Sequence, residues 1–253
     1  MGRVFVVIPM YQNLYRESVE SVVNQTYMPN AVIQVNDDCR ANVFDEGFVN
    51  DIKVHRWDRC GRHHALKNIH DGINMLDTLY KLKDTDIIIL VDGDDELMNS
   101  VSISEVVRTY KQYGCWLTHG SYINKSEHIS GKVYQLHRGS YNNHEDYRKL
   151  PWRASHLKTF LYGLYKSIDK EDFKRDGEWL ETCSDLALMF PMLEMAGKEK
   201  IRFIEKPLYI YNDMSELNDH KVSPSNQIDT DKWLRAQKPY KKIASISLSQ
   251  IRN

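Results

Sequence analysis

Three apolar runs constrain this chain more than anything else in it. Val4–Pro9 (VFVVIP), Ala31–Val35 (AVIQV) and Asp86–Val91 (DIIILV) are rich in β-branched residues and hardly alternate between apolar and polar positions. A strand with one wet face alternates with period two. A strand that does not alternate is covered on both faces, as in a parallel sheet with helices above and below. Between the first two runs, Leu14–Gln25 sets Tyr15, Val19, Val22 and Val23 on one helical face, and Met28-Pro29-Asn30 ends that helix. Further on, Ile52–Trp57 (IKVHRW) alternates like a less buried strand, and Arg62–Leu82 carries Leu66, Ile69, Ile73, Leu76 and Tyr80 at helical spacing. Strand–helix–strand order over residues 1–100 predicts an α/β half with a mostly parallel central sheet flanked by helices.

Residues 101–220 read as a mixed second half of the same domain. Ser102–Tyr113 is helical, and 115–150, rich in Tyr, His, Asn, Gly and Ser, reads as irregular strands and loops. Ser184–Ala196 is an apolar helix that ends at Gly197, with Pro191 inside it, and Lys200–Tyr211 reads as one or two strands. Residues 221–253 form a tail with seven Lys/Arg against two Asp. Its apolar residues suit packing on the body, and its charge makes it a candidate for peripheral contact with an anionic membrane.

Charge and cysteine content narrow the function classes. With 253 residues, a formal net charge of −1 and a pI near 6.8, the chain lacks the basic excess that nucleic-acid binding requires. Cys39, Cys60, Cys115 and Cys183 are scattered without a C-x-x-C pair, which argues against a zinc cage or a disulfide framework. The opening MGRVFVVIPMYQN has too short an apolar run for a secretion signal, and no segment has the apolar length of a membrane span. A cytoplasmic protein is expected, with the cytoplasmic membrane face as a second location.

The run Ile87–Val91 leads straight into Asp92, Gly93, Asp94, Asp95 and Glu96. Asp-Gly is also a hairpin signal, but neither flank alternates as hairpin strands do. Ligands of open α/β sheets bind beyond the carboxyl ends of the strands. If the chain stays extended there, Asp92 and Asp94 point the same way and converge, and Gly93 lets a ligand approach the backbone. Carboxylates suit Mg²⁺ or Mn²⁺, which typically complete their shells with substrate phosphates. A second pair, Asp37-Asp38, follows another buried strand; either residue is placed to hydrogen-bond a base or ribose, and an Asx-turn is the plainer alternative.

With these motifs in order along the chain, residues 4–215 resemble the family 2 glycosyltransferases of the GT-A fold, which transfer a sugar from a nucleotide-sugar with inversion. VVIPMYQN (6–13) is similar to the family's opening strand and loop. SVESVVNQTYMPNAVIQVNDD (18–38) is similar to its first helix and second strand, ALKNIHDGI (65–73) to the A-R-N-x-G segment, VDGDD (91–95) to its D-x-D, and TCSDLALMFPMLEMAG (182–197) to its later E-D segment. The resemblance implies that Pro9 and Tyr11 line a base pocket, that Asp38 contacts the base, expected to be uracil, and that Lys67 and Asn68 lie near the ribose and diphosphate. It implies that Asp92 and Asp94 form the D-x-D with Asp94 the direct ligand of Mn²⁺ or Mg²⁺, that His220 is a further metal ligand, and that Asp185 is the general base. Ser184 stands where the family has Glu, Lys67 where it has Arg, and NDDCR lacks the usual Gly-Ser.

WRASHLKTF (152–160) holds Arg153, His156 and Lys158; Arg153 or His156 is a candidate to face the diphosphate or acceptor, as are Arg62-His63-His64, with His137, Arg138 and His144 nearby in sequence, and a solvated polar face is the plainer alternative. The donor expected is a nucleotide-sugar, a UDP-sugar first, and the acceptor a hydroxyl of a glycan or of a lipid-linked or other acceptor. Two alternatives stand beside this. A sugar-phosphate nucleotidyltransferase needs a Gly-rich basic loop after the first strand, where this chain has MYQNL. A nucleotide-sugar-binding protein without catalysis is the other.

Overall fold

The computed structural model of the protein describes residues 2–12, 17–130, 146–216 and 219–246. The first hundred residues contain β1 (Val4–Tyr11), α1 (Glu17–Val23), β2 (Ala31–Asp37), β3 (Val43–Val49), β4 (Ile52–Asp58), α2 (His64–Tyr80), β5 (Ile87–Leu90) and the short β6 (Glu96–Leu97). There follow α3 (Ser102–Tyr113), β7 (Leu117–Asn124), α4 (Lys125–Ser130), β8 (Lys158–Leu161), α5 (Tyr162–Lys166), β9 (Lys174–Arg175), β10 (Glu178–Trp179), α6 (Ser184–Ala196), β11 (Ile201–Tyr211), α7 (Asp219–Val222) and α8 (Pro224–Ala236).

Among the described residues nine strands make one sheet in the order β3-β4-β2-β1-β5-β8-β7-β11-β6. The three apolar runs are its centre: β1 pairs in parallel with both β2 and β5. Val4–Ile8, Ala31–Ile33 and Ile87–Leu90 are buried on both faces, as the missing alternation requires. Each fully buried Val or Ile contributes about 1.5–3 kcal/mol. Two cores flank the sheet. On one face Leu66, Ile69, Ile73 and Leu76 of α2 and the apolar α6 pack on Phe5, Val7, Ile33 and Ile88. On the other, Val22 and Val23 of α1 and Ile103 and Val106 of α3 pack on Val6, Val32 and Ile89. A Cβ at Gly72 would lie 3.0 Å from Val7 and 3.1 Å from Val35, so α2 rides close on the sheet because that residue has none.

Beyond β5 the sheet turns mixed, because β8 runs antiparallel to both β5 and β7. Here the sequence is less legible. The strand β7 (LTHGSYIN) reads as polar, yet Thr118, His119 and Ser121 are buried. For Thr118 a hydrogen bond makes that tolerable: its hydroxyl lies 2.6 Å from that of Thr159, itself 3.0 Å from Tyr110 Oη. The strand β3 was not foreseen at all; its residues are exposed throughout. Lys200–Tyr211 forms one strand, with register shifts around Pro207. The tail packs on the body as far as it is described: Ile243 N–H donates to Met195 O, and Tyr240, Ile243 and Ile246 join the core on the α6 face. No helix among the described residues is long and apolar enough to cross a membrane. The start of the first predicted helix, 14–16, lies outside the described residues, as do His137, Arg138 and His144.

Candidate active site

The carboxyl ends of β1, β2 and β5 open on a cavity of about 590 Å³, the crevice position typical of ligands in open α/β sheets. One end is built by β1, β2 and the start of α2. Asp37 is buried; its Oδ2 accepts the backbone N–H of His63 at 2.6 Å and of His64 at 2.8 Å, which ties the end of β2 to the first residues of α2. Its Oδ1 is buried and meets no donor in hydrogen-bonding geometry. Tyr11 lines the same end with the Arg62 guanidinium 4.4 Å from its ring centre. Pro9, His64 and Asn68 complete it.

The acidic segment after β5 is not extended. Asp95 N–H donates to Asp92 O at 3.0 Å, closing a turn. That turn joins Asp92 to Asp95, where an extended chain would join Asp92 to Asp94. Gly93 serves the turn: a Cβ there would sit 2.7 Å from Pro9 O and 3.0 Å from Met10 Cα, so what comes close to Gly93 is the end of β1. The chain then enters β6, which pairs with β11, so the segment is no hairpin on β5. Donor atoms of Asp92, Asp95 and His156 lie within 4.8 Å of one another. The strand β11 fixes them: Asp92 N–H donates to Tyr209 Oη at 2.9 Å, Asn212 N–H to Asp95 Oδ1 at 2.7 Å, and the His156 ring stacks on Tyr209 at 4.5 Å.

Burial, then the neighbouring Asp92, push Asp94 above the usual carboxylate range. Burial, Asp92 and Asp94 push Asp95 well above it. Burial also works to raise Asp92, but Lys158 and then His156 outweigh it and hold this carboxyl low. Burial and Lys158 bring His156 down to about 4, so its imidazole is neutral at neutral pH with a lone pair to offer. The group fits a hard divalent cation. Its donors are carboxylate oxygen and imidazole nitrogen. Asp95 Oδ2 and His156 Nδ1 are both buried without a hydrogen-bond partner among the described residues.

Lys158, at the start of β8, is 1% exposed. It donates to Asp185 Oδ1 and lies 3.4 Å from Asp92 Oδ2. Burial disfavours its charge, but Asp185 and then Asp92 raise its pKa above the usual lysine value. Asp185 lies in the first turn of α6 and caps nothing: the residue at the cap position is Cys183, in the left-handed region at φ 58°, and no side chain caps the helix. Asp185, Ser184 and Glu181 line the same cavity, as do Trp152, Tyr122 and Tyr211, and Asp185 shares Lys158 with Asp92 of the acidic turn.

Of the residues singled out in the sequence, Pro9, Tyr11, Asn68, Asp92, Asp94 and Asp185 line this cavity. Asp38 does not; it is exposed, and its Oδ2 accepts from Gln12 Nε2 at 2.9 Å and Tyr11 Oη at 3.2 Å, so at this strand end Asp37 holds the cavity position. Lys67 also stands outside, with Nζ 2.6 Å from Asp71 Oδ1 and 5.1 Å from the Trp179 ring centre. Arg153 is not among the lining residues; its neighbour His156 is. The side chain of His220 lies outside the described residues. In the sequence Asp95 and Lys158 stand in segments already singled out, but neither had a role of its own. The third Asp of the run was the available signal for the first; the second shows no pattern, since its partners are 66 and 27 residues away.

No family model and no curated protein matches the sequence. Solved structures do match by shape. TarS from S. aureus superposes with a TM-score of 0.59 at 14% identity, over 92% of this chain and 39% of that one. Its 1–349 fragment in complex with UDP superposes with a TM-score of 0.58 at 15% identity, over 92% of this chain and 64% of the fragment. The chain thus spans about two fifths of the length of TarS. At such identities the likeness speaks for the fold, and the fold is the GT-A fold: a sheet parallel at its core, with helices on both faces and its crevice at the strand ends.

Proposed function

We propose that the chain is an inverting, metal-dependent glycosyltransferase that moves a sugar from a nucleotide-sugar to an acceptor hydroxyl. The observation that carries this is the convergence, in one cavity, of an acceptor unsatisfied among the described residues (Asp37 Oδ1), the Asp92–Asp95–His156 group, and Asp185, which shares Lys158 with Asp92. Asp37 Oδ1 accepts a base N–H, and Tyr11 with Arg62 stacks the ring. The UDP complex of the TarS fragment favours a uridine nucleotide. Asp92, Asp95 and His156 would hold Mn²⁺ or Mg²⁺, with Asp94 beside them; a bound ion would supply Lewis-acid neutralisation of charge on the diphosphate.

Asp185 accepts the acceptor hydroxyl's proton as that oxygen bonds to the anomeric carbon. The bond from that carbon to the diphosphate oxygen breaks, and the leaving group keeps the electron pair, so configuration inverts in one displacement. Lys158 fixes Asp185 by a charge-assisted hydrogen bond and carries no proton in the cycle. Trp152, Tyr122 and Tyr211 give the acceptor side aromatic faces, which suits a sugar-bearing acceptor.

Calorimetric titration of UDP, GDP and CDP with and without Mn²⁺, on wild type and Asp95→Ala, tests the reading. Metal-dependent binding of one nucleotide, lost in the variant, supports it. Binding of none, or binding indifferent to metal, overturns it. Asp185→Asn separates the enzyme from a non-catalytic binder: unchanged nucleotide affinity with transfer from the matching nucleotide-sugar reduced about 10³-fold or more identifies the base.

A further inference from the structure

The sheet ends in two unlike edges. The strand β6 is two residues long, and short edges resist further pairing. The strand β3 has seven residues, pairs with β4 from Val43 to Val49 without a shift in register, and has no Pro, Lys or bulge. It carries four of the large apolar side chains exposed among the described residues: Val43 (48%), Phe44 (43%), Phe48 (70%) and Val49 (43%). An exposed, regular, apolar edge is a template for another strand.

The sequence of this edge says which strand. VFDEGFV reads the same in apolar pattern in both directions, with Glu46 at its centre. The backbone agrees. The strands β3 and β4 are joined by Asn50-Asp51, both left-handed (φ 48° and 62°), the two-residue turn of a tight hairpin. In such a hairpin the flanking pair, Val49 and Ile52, is the hydrogen-bonded one, and bonded pairs alternate along the ladder. Val43, Asp45, Gly47 and Val49 therefore bond inward to β4, and Phe44, Glu46 and Phe48 turn their N–H and C=O groups outward. The palindrome's centre is thus one of the residues whose backbone is free to pair.

We infer that β3 is the interface of a two-fold homodimer in which it pairs antiparallel with β3 of a second copy, centred on Glu46. Phe44 lies opposite the partner's Phe48, Val43 opposite the partner's Val49, and Asp45 opposite the partner's Gly47, which spares it a like charge. The pairs Phe44–Phe48, Glu46–Glu46 and Phe48–Phe44 each exchange two backbone hydrogen bonds. The two central Glu46 carboxylates arrive with counter-ions: each lies 2.7 Å from its own Lys53, whose Nζ also stands 4.9 Å from the Phe48 ring centre. No residue of β3 lines the cavity, so this interface is independent of the proposed chemistry. A contact of this size supports a dissociation constant on the order of 10–100 µM.

Sedimentation equilibrium of the full chain from about 1 to 300 µM tests it. Wild type is expected to pass from monomer to dimer over that range. Glu46→Pro removes an outward N–H and leaves the inward bonds of β3 alone; Phe48→Lys sets a charge against the partner's Phe44. Each is expected to weaken the dimer about a hundredfold or more, with an unchanged circular dichroism melt showing that the domain is folded. Glu46→Cys is expected to give a dimer with a short bismaleimide. Val43→Cys is not, because antiparallel register holds its two copies about 20 Å apart; wild type, with its exposed Cys60, serves as the blank. A wild type monomeric at 300 µM, a dimer that survives both substitutions, or cross-linking through Val43→Cys as strong as through Glu46→Cys overturns the inference.

Discussion

Two strand ends of one sheet deliver aspartates to one cavity and do different things with them. At the end of β2, Asp37 is held by backbone: one of its oxygens accepts from two N–H groups at the start of α2. What it leaves over is a single acceptor, Oδ1, suited to an N–H of a neutral partner. At the end of β5 three carboxyls crowd one turn. Lys158 and then His156 hold Asp92 low against burial, while burial and Asp92 push up both Asp94 and Asp95, with Asp94 adding to the rise of Asp95. That turn has charge in excess and is suited to a cation. The same signal, an acidic pair after an apolar strand, therefore means recognition in one place and charge storage in the other. The number of nearby backbone donors decides which.

The comparison breaks hardest at Lys158. Lys158→Met leaves Asp92 and Asp185 without the buried charge between them. Removing one partner of a buried ion pair costs about 3–5 kcal/mol. Thermal unfolding of the metal-free protein is expected to fall by about 10 °C for a chain of this size. A loss below about 2 °C would mean that the lysine does not hold the two sides of the cavity together. The sharper contrast is next in size. Asp37→Ala removes the one oxygen that accepts two N–H groups at the start of α2 and is expected to cost about 2 kcal/mol, together with a tenfold or greater loss of nucleotide affinity that is the same with or without Mn²⁺. Asp95→Asn keeps the oxygen that Asn212 N–H needs and removes a charge the fold pays to bury. The metal-free protein is expected to gain about 1 kcal/mol while metal-dependent binding disappears. Chemical unfolding of both variants without metal reads the two signs; equal signs would erase the distinction.

How much of this the sequence discloses follows the same division. Elements specified by a dense apolar pattern were legible: β1, β2, β5, α3 and α6 lie where periodicity puts them, because burial on both faces or along one stripe leaves a mark at every residue. Elements that bury polar residues, or bury none, were not. In β7, buried Thr118, His119 and Ser121 look like a loop in the sequence, and β3, exposed throughout, leaves no burial pattern to find. The site divides likewise. Asp92, Asp94 and Asp185 stand in local motifs. The triple that meets in space does not, because a turn at Gly93 replaces Asp94 by Asp95 and the third member comes from the segment just before β8. Lys158, between Leu157 and Thr159, reads as an ordinary strand residue with its charge in solvent; its burial is a property of two partners on other elements.

The smallest expected effect is a pH dependence, and it runs in opposite directions for members of one turn. Asp94 and Asp95 have folded-state pKa values above their usual 3.8. The folded chain thus holds those protons more tightly than the unfolded one. Their favourable contribution is complete below the unfolded value and is lost as pH rises through the raised folded values. Asp92, held low, contributes the other way: its share is present above the unfolded value and is lost as pH falls through the folded one. A divalent cation competes with the protons on the raised pair, so Mn²⁺ affinity measured without nucleotide is expected to rise from pH 5 to pH 7.5, by up to about tenfold per pH unit for each proton displaced. Asp95→Asn removes the more strongly raised carboxyl and is expected to flatten that profile. Asp37→Ala, at the end held by backbone, is expected to leave its slope as it was. Manganese titration followed by electron paramagnetic resonance across that range gives both slopes, and a profile flattened equally by the two substitutions would place the titrating carboxyl outside the turn.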